Sequence, residues 1–137
     1  MKLNIVLTED KFISGYSNIL LEKLPSEHQN IINNSCAEIL AANILDLIDE
    51  KNIDGFINLL VSKLRLGGIL FISGINLDII ARNIVNGTLS EQEFNQMLQN
   101  VKSIHSRKYM FDLLSSRNLK IQSSSTKGNI YEIIATR

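Results

Sequence analysis

The sequence predicts an α/β fold in a single domain spanning residues 1–137, with a mainly parallel central sheet and an antiparallel strand at its C-terminal end. Three observations predict it. Short apolar runs of strand length alternate with amphipathic stretches of helical period. The run ILFIS, residues 69–73, is almost continuously apolar, as suits a strand of a sheet covered on both faces. The chain closes on two strand-like runs joined by TKGN, the pattern of a hairpin.

Taken in order, KLNIVL (2–7) is short, rich in aliphatic residues and bounded by the polar TEDK, which predicts a first buried strand. Gly15 marks a turn, residues 18–22 a short second strand, and Pro25, the single proline, a stop. CAEILAANILDLIDE starts as a small-residue apolar strand around residues 37–42 and then turns helical, with Asp46, Asp49 and Glu50 on the solvated side. Phe56, Leu59, Leu60, Lys63 and Leu64 fall at helical spacing, with the lysine stem at the edge of the stripe. Gly67 and Gly68 are expected to stop that helix, because glycine after the last periodic residue readily takes the left-handed cap conformation. After the strand at 69–73, NLDIIARNIV reads as a helix capped by Asn76 and ended by Gly87, and Ser90 with Glu93 has the spacing of a capping box. RKYMFDLLSSRN supplies a last amphipathic helix before LKIQSSS and IYEIIATR form the hairpin.

Composition excludes several classes. Apolar residues make up 45% and charged residues 20%, the balance of a globular chain, and the longest apolar runs fall far short of a membrane span. MKLNIVLTEDKF lacks the long apolar core of a secretory signal, so a cytoplasmic protein is expected. Cys36 is the only cysteine, and His28 and His105 are far apart, so no metal site is expected. Net charge is zero, which leaves no clear nucleic-acid signal. Its distribution is uneven: residues 1–60 hold four Lys/Arg against nine Asp/Glu, and residues 101–137 hold seven against two. Such asymmetry suits a head-to-tail homodimer or an anionic substrate, as well as two solvated surfaces of one domain. GxSxG, P-loop and GxGxxG patterns are all missing, which removes direct support for hydrolase, nucleotide-phosphatase and nicotinamide-dehydrogenase readings.

The order of these segments resembles the class I S-adenosylmethionine-dependent methyltransferases. SCAEILAANILDLID looks like that family's fourth strand and following helix, and LVSKLRLGGILFIS is similar to its hxxxLKPGGxLhhs segment, with Leu66 in place of the proline. The C-terminal IHSRKYMFDLLSSRNLKIQSSSTKGNIYEIIATR resembles the closing helix and final antiparallel pair, and KLNIVLTEDKFISGYSNIL a compact branch that begins KLNIGCG…GYxNvD. The resemblance implies a Rossmann-like methyltransferase fold, S-adenosylmethionine as cofactor and a small-molecule or sugar acceptor.

The same resemblance locates the cofactor at the carboxyl ends of the parallel strands. Leu7 and Thr8 follow the first strand, Glu22 follows the second, and Asn34 and Asn43 stand in later connections. Two departures matter. Val6, Leu7 and Thr8 replace the glycine turn that lets backbone approach the methionine portion, and Leu20 replaces the acid that accepts from the ribose hydroxyls, leaving Glu22 as its substitute. His105, in the polar KSIHSRK, is the candidate general base, and Arg107 and Lys108 are candidates for an anionic acceptor. Each has a plainer reading: turn-forming asparagines, a solvated histidine, a basic helix start, and Cys36 as a small core residue. Two functions therefore stand side by side: a small divergent methyltransferase, and a catalytically inactive binding or assembly module whose partner is another protein.

Overall fold

The computed structural model describes residues 1–137. Six strands form one sheet: β1 (Lys2–Val6), β2 (Ser17–Leu20), β3 (Cys36–Ala41), β4 (Leu64–Ile75), β5 (Lys120–Lys127) and β6 (Ile130–Thr136). Their order is β2-β1-β3-β4-β6-β5; the first four run parallel, and β6 pairs antiparallel with both β4 and β5. The predicted mainly parallel sheet with a C-terminal antiparallel strand is the observed one. Five α-helices accompany it: α1 (Leu24–Glu27), α2 (Ile53–Lys63), α3 (Leu77–Val85), α4 (Glu91–Met97) and α5 (Arg107–Ser115). None is long and apolar enough to cross a membrane.

Strand alternation sorts the sheet residues onto two unlike faces. Leu3, Ile5, Ile39, Leu70, Ile72 and Ile133 point to one face and are at most 1% exposed. They join Ile57 and Leu60 of α2 and Met110 and Leu114 of α5 in one hydrophobic cluster. Burial of each such side chain is worth about 1.5–3 kcal/mol, so this face carries the stability of the fold. The register puts Leu40, Ile69, Phe71 and Ile134 on the opposite face, and none of them belongs to that cluster. Ile69 is 44% exposed there. Ten residues, 7–16, separate β1 from β2, and they form a single 3-10 turn at Glu9–Lys11 instead of an α-helix that would cover this face.

The glycine pair behaves otherwise than its sequence context predicts. α2 ends at Lys63 with Leu64 already extended, so the helix stops before either glycine. Gly67 and Gly68 lie inside β4, where the register between Cys36–Leu64 and Glu38–Ile69 shifts through a bulge. Gly67 has φ +73, and its N–H donates to the Arg137 carbonyl at 2.8 Å. At Gly68 a Cβ would lie 2.9 Å from the carbonyl oxygens of both Arg65 and Cys36, so close backbone approach requires glycine.

Other expectations also shift. Pro25 sits in the first turn of α1, where its missing N–H costs nothing, and so starts a helix rather than stopping one. Residues 45–52 form two 3-10 turns, and the α-helix begins only at Ile53. Asn76 caps α3 by accepting from the Asp78 N–H, and Ser90 and Glu93 form the full capping box of α4, as their spacing predicts.

Candidate functional site

Two cavities open at the carboxyl ends of the parallel strands. The chain leaves β1 toward β2 on one side and reaches β3 on the other, so the crevice lies at a topological switch point of the sheet. Leu7, the first residue after β1, is 57% exposed and lines both cavities.

The first cavity, about 540 Å³, lies toward the open face and is lined by Leu7, Thr8 and Asn43 with Asn4, Leu40 and Phe71. Its polar groups are already engaged. Asn4 Nδ2 donates to Asn18 Oδ1 at 2.8 Å and to the Lys11 carbonyl at 3.1 Å, and this bond ties the β1–β2 connection down onto the open face. Asn18 in turn receives the Ile13 N–H at 2.9 Å. Thr8 donates to Asp10, and Asn43 Oδ1 accepts from Ser73 Oγ at 3.2 Å. Asn43 adopts φ 56, which suits its place in the turn after β3.

The second cavity, about 600 Å³, joins the ends of β1 and β2 to the segment after β3. Leu7, Leu21, Leu47 and Ile48 give it an apolar wall, and Glu22, Asp49 and Lys102 bring charge. Glu22 occupies a 3-10 turn, Leu21–Lys23, immediately after β2. Glu22, Asp49 and Lys102 take part in none of the ion pairs of the molecule, so their charges face solvent and any ligand unspent.

Asp46 organises the far wall of this cavity. Far from solvating a helix, it is buried, and both carboxylate oxygens accept the Ile75 N–H at 3.0 Å. Its carbonyl accepts the Lys102 N–H at 2.7 Å, which brings a residue more than fifty positions away to the cavity. Ser103 Oγ donates to the Ile48 carbonyl at 2.6 Å and reinforces the same contact. Burial pushes the Asp46 carboxyl above its ordinary pKa, while the Ile75 N–H and the His105 charge pull it back. At Gly74 a Cβ would lie 2.8 Å from both Asp46 Oδ1 and Tyr131 Oη, so this glycine makes room for the two oxygens. Burial also pushes the Tyr131 hydroxyl pKa upward. Nothing in the spacing of DLIDE distinguishes this buried aspartate from its exposed neighbour Asp49; only the long-range contact does.

The remaining candidates lie apart. Asn34 precedes β3 and its Oδ1 accepts a hydrogen bond from Arg137, so it stands at the amino end of the sheet and not with Leu7, Thr8, Glu22 and Asn43. Every crossover of a parallel sheet leaves from the carboxyl end and returns to the amino end, and Asn34, two residues before β3, lies at the returning end. His105 is buried rather than solvated: Nε2 meets Glu50 Oε2 at 2.8 Å, and the ring stacks on Tyr109 at 4.7 Å between centroids. It lines neither cavity. Arg107 donates to the Ser124 carbonyl at 2.9 Å and Lys108 pairs with Asp112, so both are engaged within the fold. Cys36 is fully buried, and burial pushes its thiol pKa up.

No protein-family model matches the sequence, and comparison with curated proteins returns no match. Solved structures do match in fold. An S-adenosylmethionine-dependent methyltransferase from Mesorhizobium loti superposes with a TM-score of 0.66 at 12% identity, covering 98% of this chain and 79% of that one. A SAM-dependent methyltransferase from Archaeoglobus fulgidus gives 0.64 at 12% identity, with 98% and 75% covered. An O-methyltransferase family protein from Burkholderia thailandensis gives 0.63 at 16% identity; 88% of this chain matches 36% of that chain, so here the chain spans about a third of the relative's length. The fold is thus the Rossmann-like fold of the SAM-dependent methyltransferases, as the order of segments predicts.

Proposed function

We propose that the protein is a methyltransferase-like protein that binds S-adenosylmethionine in the second cavity. The observation that carries this reading is the set of unpaired charges, Glu22, Asp49 and Lys102, beside an apolar wall at the switch point of the sheet. That donor set fits the ligand: Glu22 would accept from the ribose hydroxyls, Leu21 and Ile48 would cover the adenine ring, and Lys102 would meet the amino-acid carboxylate. The cofactor supplies an electrophilic methyl group. The chain's own part is to hold an acceptor in line with it, which needs a general base only when the acceptor must lose a proton. His105, held by Glu50 outside both cavities, is a positioning group for the α5 start in this reading; a small-molecule acceptor such as a carboxylate has no proton to lose, whereas a sugar hydroxyl would pass its proton to solvent water.

The turn Val6–Thr8 favours a second reading. Side chains there forbid the backbone approach that glycine permits, and Leu7 stands between the two cavities. A chain that has given up the cofactor would keep the scaffold as a binding or assembly module for a protein partner.

Isothermal titration with S-adenosylmethionine and S-adenosylhomocysteine separates the two. The first reading expects one-to-one binding, weakened about tenfold in Glu22→Gln. No heat at millimolar ligand and an unshifted melting temperature would refute it and leave the assembly module.

A further inference from the structure

We infer that the open face of the sheet is the docking surface for a second copy of this chain, in an isologous face-to-face dimer. Parallel sheets are rarely left bare on one side, and this one has its helix-packed core on one face only. The opposite face presents Leu40, Ile69, Phe71 and Ile134 in adjacent strands, and the β1–β2 connection adds Ile13, 39% exposed, beside Leu40 and Phe71. Such a contiguous apolar surface marks an interaction site.

Charge selects the occupant. Strand order carries the sequence asymmetry into space: β2, β1 and their connections, from the acidic part of the chain, lie at one lateral edge, and β5, from the basic part, lies at the other. The β1–β2 connection carries Glu9, which has no ion-pair partner, and Asp10, which lies 3.2 Å from its neighbour Lys11, while the β5 register points Lys120 and Lys127 to the open face, where Lys127 stands 3.9 Å from Glu132, the outer limit of an ion pair. A two-fold axis along the strand direction places β5 of each copy over β2 of the other. Lys127, paired in register with Ile130 and so near the end of β4, then meets Glu9 and Asp10 across the interface. The apolar strip stacks on itself at the centre, as in aligned sheet packing.

Size permits it. Six strands about 4.8 Å apart, each presenting about 20 Å of length, give a face of about 500 Å², so two faces bury about 1,000 Å² together, the lower bound of a specific interface. The first cavity opens on this face through Leu40 and Phe71, so the partner copy roofs it. The second cavity, and with it the cofactor reading, does not depend on the dimer.

Sedimentation equilibrium of the full chain between about 5 and 200 μM tests the inference. The expected result is a reversible dimer of twice the 15.4 kDa chain mass. Ile69→Glu with Ile134→Glu, both outside the helix-packed core, should give a monomer with unchanged circular dichroism. Lys127→Glu should raise the dimer Kd about tenfold, and adding Glu9→Lys and Asp10→Lys should restore it. A wild-type monomer at 200 μM overturns the inference, including where another protein binds this face. So does a dimer that survives both glutamates, or a Lys127→Glu effect that the charge swap leaves unrescued.

Discussion

Both carboxylate oxygens of Asp46 lie 3.0 Å from the Ile75 nitrogen, so a residue just past β3 caps the end of β4. The bond closes the carboxyl edge of the sheet between the two central strands. It also makes a buried acid part of the wall on which Lys102 is mounted.

Asp46 should leave a pH signature. Its folded-state pKa is raised by burial above the ordinary aspartate value of about 3.9, so the folded state holds the proton longer than the unfolded chain. Its contribution to stability therefore falls as pH rises from the unfolded value to the raised one, and stays level above. Asp46→Asn keeps an acceptor for the Ile75 N–H and deletes that fall. Urea unfolding from pH 4 to 7 should show the variant gaining on the wild type as pH rises; a constant difference refutes the assignment.

The two glycines of the β4 bulge should respond differently to alanine. Gly68→Ala forces a Cβ against two backbone carbonyls and should cost about 2–3 kcal/mol, since neither strand can retreat cheaply. Gly67→Ala meets no atom within 4 Å and pays only for φ +73, about 1 kcal/mol. Equal losses in urea unfolding would contradict the close approach at Gly68.

Neighbouring residues of β6 should report the inequality of the two faces. Ile133 is fully buried against the helices, so Ile133→Ala should lose about 2–5 kcal/mol. Ile134 points to the open face, and in dilute solution Ile134→Ala should lose about 0.5 kcal/mol or less. Comparable losses would mean that the open face is covered within one chain.

Leu7 offers a test of the crevice. If the cofactor reading holds, Leu7→Gly returns backbone access to the turn after β1 and removes the side chain between the cavities. Affinity for S-adenosylhomocysteine should then rise about tenfold by titration, and weaker binding would make Leu7 a contact rather than an obstacle.

Much of the architecture was legible because it rests on local pattern. The apolar run of β4, the capping box at Ser90 and Glu93, and the closing hairpin each declare themselves within one short contiguous stretch of chain. The glycine pair was misread for the same reason: LRLGG looks like a helix stop until Cys36 is known to pass beside Gly68. Site residues were less legible. Leu7, Glu22 and Asn43 follow strands and so reach the carboxyl edge, whereas Asn34 precedes one and lies at the other end. His105 looked solvated from its polar neighbours, but Glu50 and Tyr109 enclose it.

The sequence by itself determined the order of strands and helices, the absence of glycine after β1, and the opposite charge of its two ends, because each is a property of residues near one another in the chain. Tertiary structure alone decided which sheet face the helices cover, that Asp46 is buried, and that Glu22 and Lys102 share a cavity. Those facts depend on which distant segments meet when the strands align, and no local pattern encodes a meeting between residues eighty positions apart.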